Sequence, residues 1–292
     1  MSVTLSSGAA RTLFDDTVKH AYQSAGPDLR DCVTFRSVTG SDDYRFRTMG
    51  RAQALQRGAD QTAVSNANVA HATVTCALND FYISELTDVF GQATTNAPQE
   101  IVALAKTIGN GLKRKEAQLV IDALDAATIP AGNQIGGTNI TLDNNVVGAN
   151  PEGIALLSEG RSLLKANDID EQPCFLFSER EEMQLLNNDT FVSADYSSYR
   201  ERDNGDIRDG HYGLKYRRVG SGRDEDGLAL SGTERVCYMF VPSAVGLAVN
   251  IDCKTEVNYE SDKLSWRSTG LLKAGACVID TSGVVAITID AA

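Results

Sequence analysis

The sequence lacks a long hydrophobic run, a surplus of positive charge and an apolar leader segment. Its longest apolar stretch without a charged residue, 236–251, contains Pro242 and is too short to span the roughly 30 Å core of a bilayer. Acidic residues outnumber basic ones by 39 to 27, whereas nucleic-acid binding requires a concentrated basic surface. These absences exclude a membrane span and argue against tight nucleic-acid binding as the main function. No secretory signal is expected either.

Metal-binding and disulfide patterns are also missing. Six cysteines stand far apart without a CxxC pair, and the chain has only three histidines. This spacing matches neither a zinc site nor the disulfide framework of a small secreted domain. The expectation is therefore reduced and mostly buried thiols, as in a protein of a reducing compartment.

No local motif indicates a catalytic or cofactor site. Walker, GxGxxG, HExxH, GxSxG and SxxK patterns are absent. Acid-rich stretches at 203–206 and 224–227 contain parts of a calcium loop without its ligand spacing, so they are interpreted as solvated turns. The basic cluster Lys113, Arg114 and Lys115 is interpreted as a solvated helix face.

The histidines and the single tryptophan do not change this picture. No histidine has a nucleophile and an orienting acid close to it in sequence. Trp266 and the neighbouring Leu264 and Leu271 are expected to fill a core. We therefore assign no catalytic, cofactor-binding or metal-binding residue, and we expect neither an enzyme nor a bound cofactor.

The sequence contains enough apolar residues to form a folded core. The composition, 42% hydrophobic and 23% charged, is that of an ordinary chain able to form a core. The length of 292 residues predicts about two lobes, or one domain with long extensions. Apolar periodicity predicts helices at 9–24, 98–127, 151–166 and 179–186, the last capped by Ser178. Strands are predicted at 32–38, 42–49, 69–75, 174–177, 212–219, 235–241, 248–253, 256–259, 264–272, 276–279 and 284–289. Helices come mainly first and strands last, which favours an α+β fold.

Two elements are unusual for a compact domain. The alternating arms at 42–49 and 69–75 predict a long two-stranded excursion that needs a partner surface to become ordered, because an isolated ribbon is marginal in water. A flexible surface loop is the alternative. The helix predicted at 98–127 would be about 45 Å long, and Gly109 and Gly111 inside it are expected to produce a kink or break.

The chain is a recognisable series of segments. An amphipathic arm helix leads to VTFRSVTGSDDYRF, to the extended excursion and to the junction NDFY. A long helix follows, ending in GNGLKRKEAQLVIDAL, and then a GGTNIT turn. Later segments read PCFLFSEREEMQLLNN, FVSADY, RVCYMFVPSAVGLAVN and KLSWRSTGLLKAGACVID. This order of segments resembles that of the major capsid proteins of tailed bacteriophages over nearly the whole chain.

The resemblance implies an α+β capsid fold with five regions. These are an N-terminal arm (1–37), an extended loop (38–80), a peripheral domain with a spine helix (81–130), an axial domain (131–247) and closing strands of the peripheral domain (248–292). The extended loop lacks the basic residues that similar proteins carry before the acidic-aromatic junction, so salt bridges from that segment to a neighbour are not expected. A Lys–Asn crosslink is not expected either.

The function implied by the resemblance is structural. Many copies would assemble through pentamers and hexamers into an icosahedral shell around double-stranded phage DNA, which the protein would contact weakly and without sequence specificity. Portal and scaffolding proteins are implied partners, with a cement protein as an optional one. Assembly is expected in the host cytoplasm and the final location is the virion capsid. The alternatives are an encapsulin-like nanocompartment shell and a small soluble α+β metal-dependent enzyme.

Overall fold

The computed structural model describes residues 25–56, 58, 66–90, 100–138, 140–143, 153–192, 207, 209–221 and 227–291. Within these ranges the chain forms three β-sheets and four α-helices. The described α-helices all lie between residues 100 and 192, and six of the twelve described strands begin at residue 215 or later, as the expected order of helices mainly first and strands last requires. The mixture of helix and sheet confirms the α+β class. The predicted helix 9–24 and the acid-rich stretch 203–206 lie outside the described residues, as does 224–226.

A four-stranded sheet contains the two longest strands. Its order is β1 (Thr34–Ser37), β10 (Val245–Glu260), β11 (Ser265–Val278) and β4 (Asn79–Asp88). The sequence predicted β10 and β11 as two strands each. In β10 the pairing shifts register between Val249 and Ile251 and again before Lys254, so the alternation of apolar residues is interrupted although the strand continues.

Helix α1 (Glu100–Asp125) packs on this sheet and continues through both of its internal glycines. A kink or break was expected at Gly109 and Gly111, and the helix has no break there. Gly111 lies against Ile83 of β4, where an added Cβ would be 2.7 Å from the Ile83 Cδ1. Close packing between helix and sheet offsets the conformational cost of glycine, which periodicity alone does not show.

A six-stranded sheet contributes more buried apolar residues than the four-stranded sheet does. Its strands lie in the order β5 (Gln134–Gly136), β12 (Val284–Asp290), β9 (Glu234–Phe240), β6 (Cys174–Ser178) and β7 (Lys215–Val219), with β8 (Leu230–Ser231) paired to β9. All five residues of β6 are buried. Helix α2 (Gly153–Ala166) packs on β12.

The cap predicted at Ser178 is confirmed. Ser178 begins helix α3 (Glu179–Asn187), and its side chain accepts a hydrogen bond from the backbone N–H of Arg180. The Glu181 carboxylate in turn accepts from the Ser178 backbone N–H at 2.9 Å, which completes a capping box. A short helix α4 (Asp189–Val192) follows.

One hydrophobic core continues from the first sheet to the second, and α1 lies between them. The Gln118 side chain exchanges two hydrogen bonds with the backbone of Gly227. The Tyr238 hydroxyl of β9 donates to the Asp125 carboxylate at 2.6 Å. The helix is therefore attached to the six-stranded sheet as well as to the sheet that it covers.

Candidate assembly surface

The third sheet is a two-stranded ribbon formed by β2 (Asp43–Met49) and β3 (His71–Ala77), which pair antiparallel over all seven positions. We call residues 43–77 the ribbon. Tyr44, Phe46 and Thr48 lie on the more buried side of β2, whereas Arg45 and Arg47 are exposed, as the alternation predicted. The connecting residues 50–56 and 66–70 are almost all exposed.

The base of the ribbon packs on its own subunit. A second core cluster, separate from the main core, contains Val38, Phe46, Cys76, Leu78 and Ala248. The ribbon is therefore supported at its base. Farther along, β2 and the segments around 241–244 and 279–283 line a cleft of about 780 Å³.

Lys273 of β11 pairs with the acidic residues that precede and follow the ribbon in sequence. The Lys273 ammonium lies 2.7 Å from the Asp42 carboxylate, just before β2, and 3.3 Å from that of Asp80, just after β3. The hydrogen bond from Lys273 lowers the pKa of Asp42. Arg51, beyond the end of β2, donates a hydrogen bond to the backbone carbonyl of Asn167.

The segment before β1 joins several elements through ion pairs. Arg30 lies between Glu116 of α1, at 2.6 Å, and Asp252 of β10. The hydrogen bond from Arg30 lowers the pKa of Asp252. The neighbouring Asp31 pairs with Arg217 of β7 at 2.6 Å, so residues 30 and 31 connect the two larger sheets.

Exposed apolar side chains are concentrated in one half of the described structure. Of twelve large hydrophobic residues that are exposed in the described ranges, ten lie on the ribbon or on the four-stranded sheet and its connections: Phe35, Met49, Leu55, Tyr82, Leu86, Phe90, Ile251, Val257, Tyr259 and Leu264. The other two, Met183 and Leu230, belong to the second sheet region. The exposed apolar side chains therefore belong mainly to the ribbon and to the four-stranded sheet with its connections.

The structure separates the three residues of the basic cluster. Lys113 is exposed, but Arg114 is 7% exposed, and the Lys115 ammonium lies 5.4 Å from the centre of the Phe81 ring. The prediction of a wholly solvated helix face is therefore wrong, because α1 is covered on more than one side by the two sheets. The burial of Arg114 could not be predicted from three consecutive basic residues on one helix.

Other residues singled out in the sequence are dispersed. His71 is exposed on β3, and His211 packs against Phe191 with ring centres 4.3 Å apart. Trp266 is partly buried, and its ring centre lies 5.2 Å from that of Tyr259. Leu264 is 48% exposed, so the prediction that Leu264 fills a core is wrong.

All six cysteines are free thiols, and Cys253 and Cys277 are only partly buried. No group of acidic, histidine and cysteine side chains that could hold a metal ion is present in the described ranges. Nor is any helix of the described chain long and apolar enough to cross a membrane.

Comparison with known proteins identifies the family. The model of the phage capsid protein family matches residues 7–291. The chain belongs to the phage capsid protein family. No curated protein sequence is significantly similar to this capsid protein.

Solved capsid structures share the fold at low sequence identity. The capsid structure of cyanophage P-SCSP1u is 15% identical, with a TM-score of 0.71 over 95% of this chain and 92% of that one. The structure titled Mycobacterium phage Che8 is 18% identical, with a TM-score of 0.67 over 94% and 96% of the two chains. The head structure of Helicobacter pylori bacteriophage KHP40 is 8% identical, with a TM-score of 0.71 over the full length of both.

The family match confirms the capsid function inferred from the order of segments. This capsid protein forms the shell, and the family favours neither the encapsulin-like nor the enzyme alternative. The sequence did not indicate the role of Lys273, because that role depends on a residue distant in sequence. Lys273 and its partner Asp42 are 231 positions apart.

Proposed function

We propose that this capsid protein assembles through pentamers and hexamers into an icosahedral shell that encloses double-stranded phage DNA. Assembly takes place in the host cytoplasm with portal and scaffolding proteins as partners, and a cement protein is an optional addition. The DNA is contacted weakly and without sequence specificity, which is consistent with the net charge of −12. The chain itself carries out no catalysis.

The observation that supports this proposal most strongly is the uneven distribution of exposed apolar residues. A subunit that functioned alone would have little reason to expose Tyr82 of β4 at 75% and Met49 of β2 at 71%. Contacts between identical copies would bury them, and repeated head-to-tail contacts around an axis produce closed rings.

Each of the five regions has a proposed place in the shell. The arm (1–37) and the extended loop (38–80) contact neighbouring copies. The peripheral regions (81–130 and 248–292) form the sides of a capsomer, and the axial domain (131–247) surrounds its axis. The ribbon, held at its base and exposed farther out, is suited to reach a second subunit.

Electron microscopy of the purified full-length chain tests the shell. We expect closed particles with five-fold and six-fold capsomers, and nuclease-protected DNA inside particles made in infected cells. A protein cargo without DNA would instead support the nanocompartment. A chain that stays monomeric at every protein and salt concentration, with and without its scaffold, would contradict the proposal.

A deletion isolates the contribution of the loop. Removal of residues 50–68, with β2 and β3 joined by a short turn, is expected to leave a folded subunit that does not form shells. Circular dichroism and urea unfolding measure the folding, and sedimentation measures the assembly. Normal yields of normal shells would show that the loop makes no essential contact.

A matched pair of point variants tests whether assembly depends on exposed apolar residues of the ribbon or on exposed apolar residues in general. Leu55→Ser removes an apolar side chain, 59% exposed, from the ribbon, and Leu230→Ser removes one of 54% exposure from the six-stranded sheet. We expect Leu55→Ser to raise the critical concentration for assembly by about tenfold, because about 1.4 kcal/mol of burial is lost. Leu230→Ser is expected to leave it within about twofold. Equal effects would contradict the assignment of the surface.

A further inference from the structure

Two glycines allow the base of the ribbon to approach β10 and β11 closely. A Cβ on Gly246 would lie 2.5 Å from the Cζ of Phe46. A Cβ on Gly275 would lie 1.9 Å from the carbonyl oxygen of Ala77. Neither separation is possible between real atoms, so any other residue at these positions would push the ribbon away.

This approach places two cysteines from distant parts of the chain beside each other. The Sγ of Cys76, on β3, is 3.3 Å from the position that a Cβ of Gly275 would occupy. Cys277 is two residues farther along β11, on the same face as Gly275, and pairs with Gly246 across the sheet. Both cysteines belong to the cluster at the base of the ribbon: Cys76 is buried in it, and Cys277 packs against it.

The contact gives the two sulfur atoms different chemistry. The Cys277 thiol donates to the Cys76 sulfur and thereby lowers the pKa of Cys76, and burial only partly opposes this. The same contact, together with burial, raises the pKa of Cys277. Cys76 is therefore the better nucleophile, and Cys277 carries the proton beside it.

The remaining cysteines are less suited to oxidation. Cys32 and Cys174 are both 0% exposed, and burial raises the pKa of Cys174 well above its usual value. Cys237 is fully buried. Cys253 is partly exposed, and its sulfur faces the carbonyl of Gly109 at 3.9 Å.

We propose that Cys76 and Cys277 are a redox-sensitive pair that closes into a disulfide on oxidation and fastens the base of the ribbon to β11. In a reducing cell the pair remains open while the ribbon finds its neighbours. In an oxidising medium the bond holds the ribbon at the angle it has then reached. This property goes beyond shell formation and does not depend on the number of copies in the shell.

A peroxide is a sufficient oxidant, and the reaction balances. The Cys76 thiolate attacks one oxygen of hydrogen peroxide, breaks the O–O bond and becomes a sulfenic acid. The Cys277 sulfur then attacks the Cys76 sulfur, forms the S–S bond and displaces the oxygen, which leaves as water with the thiol proton. Overall, two thiols and one peroxide give one disulfide and two water molecules.

The sequence allows a direct test by peptide mapping. Trypsin releases Cys76 in peptide 58–106 and Cys277 in peptide 274–292, and neither contains another cysteine. The full-length chain is treated with hydrogen peroxide, blocked with iodoacetamide under denaturing conditions and digested. We expect the two peptides joined as one species, alkylated thiols reduced from six to four per chain, and reversal by dithiothreitol.

Two variants and one further readout make the test specific. Cys277→Ala should abolish the joined species, and Cys253→Ala should leave its yield unchanged. Hydrogen exchange of the β2 and β3 amides should slow by about threefold or more on oxidation of the parent chain. Three results would each overturn the proposal. The first is full alkylation of Cys76 and Cys277 after peroxide treatment, and the second is a joined species formed between different chains. The third is a disulfide within the chain that does not slow the exchange of the β2 and β3 amides.

Discussion

Gly270 of β11 lies directly beneath Ile108 of α1, and a Cβ at Gly270 would be only 2.3 Å from the Ile108 Cγ2. It would also be 2.8 Å from the Cδ1 of Leu112. Ile108 and Leu112 are among the least exposed side chains of the main core. The contact between helix and sheet therefore depends on the absence of a side chain at one strand position.

Gly270→Ala is expected to destabilise the subunit. The added methyl group must move Ile108 or the helix, and overpacking of a filled core costs about 1–3 kcal/mol. Urea unfolding at pH 7 should show a lower midpoint with an unchanged slope. A midpoint equal to that of the parent chain would contradict the close packing of α1 on β11.

Gly109→Ala is expected to have the opposite effect. Nothing lies within 4 Å of the place that a Cβ at Gly109 would occupy, and the residue is inside a continuous helix. Alanine is favoured over glycine in helix interiors by about 0.5–1 kcal/mol. The unfolding midpoint should rise accordingly. A lower midpoint would instead indicate that the helix needs the freedom of glycine at this position.

Local signals were sufficient for several elements of the fold. The capping box at Ser178 and Glu181 lies within four residues, and the alternation of β2 is a property of β2 alone. The continuous apolar run that became β6 was equally clear. Each of these elements is determined by residues close to it in sequence.

Other features depend on distant partners and could not be predicted. Strand β4 was not predicted as a ten-residue strand, because polar residues such as Asn79 and Glu85 dominate it and its structure comes from pairing with β11. Gly109 and Gly270 illustrate the same point: one faces open space and the other faces a helix, although both are simply glycines in the sequence. The assembly surface was indicated by segment order, but the exposed side chains that form it were not.

His211 should make stability fall as the pH decreases from 7. Burial lowers the pKa of His211 below its usual 6.5, and a hydrogen bond to the backbone of Phe191 only partly opposes this. Below pH 6.5 the unfolded chain therefore binds a proton that the folded chain accepts only at a lower pH, and stability decreases until that lower pKa is passed.

The variant His211→Gln isolates this contribution. Its unfolding midpoint in urea should depend less steeply on pH between 7 and 5 than that of the parent chain. His71→Gln, at an exposed position of the ribbon, is the control for the loss of a histidine side chain. An unchanged slope in His211→Gln would contradict the role assigned to burial.

Added salt should promote assembly. Each subunit carries a net charge of −12, so contact between copies brings like charges together. The screening length falls from about 10 Å at 0.1 M salt to about 3 Å at 1 M, whereas apolar burial at Tyr82 or Met49 is not weakened by salt. Light scattering should therefore give a lower critical concentration at 0.5 M than at 0.05 M sodium chloride.

Magnesium chloride at equal ionic strength distinguishes screening from cation binding, because screening alone gives similar critical concentrations for both salts. A critical concentration that rises with salt would mean that attractive ion pairs, rather than apolar contacts, hold the copies together.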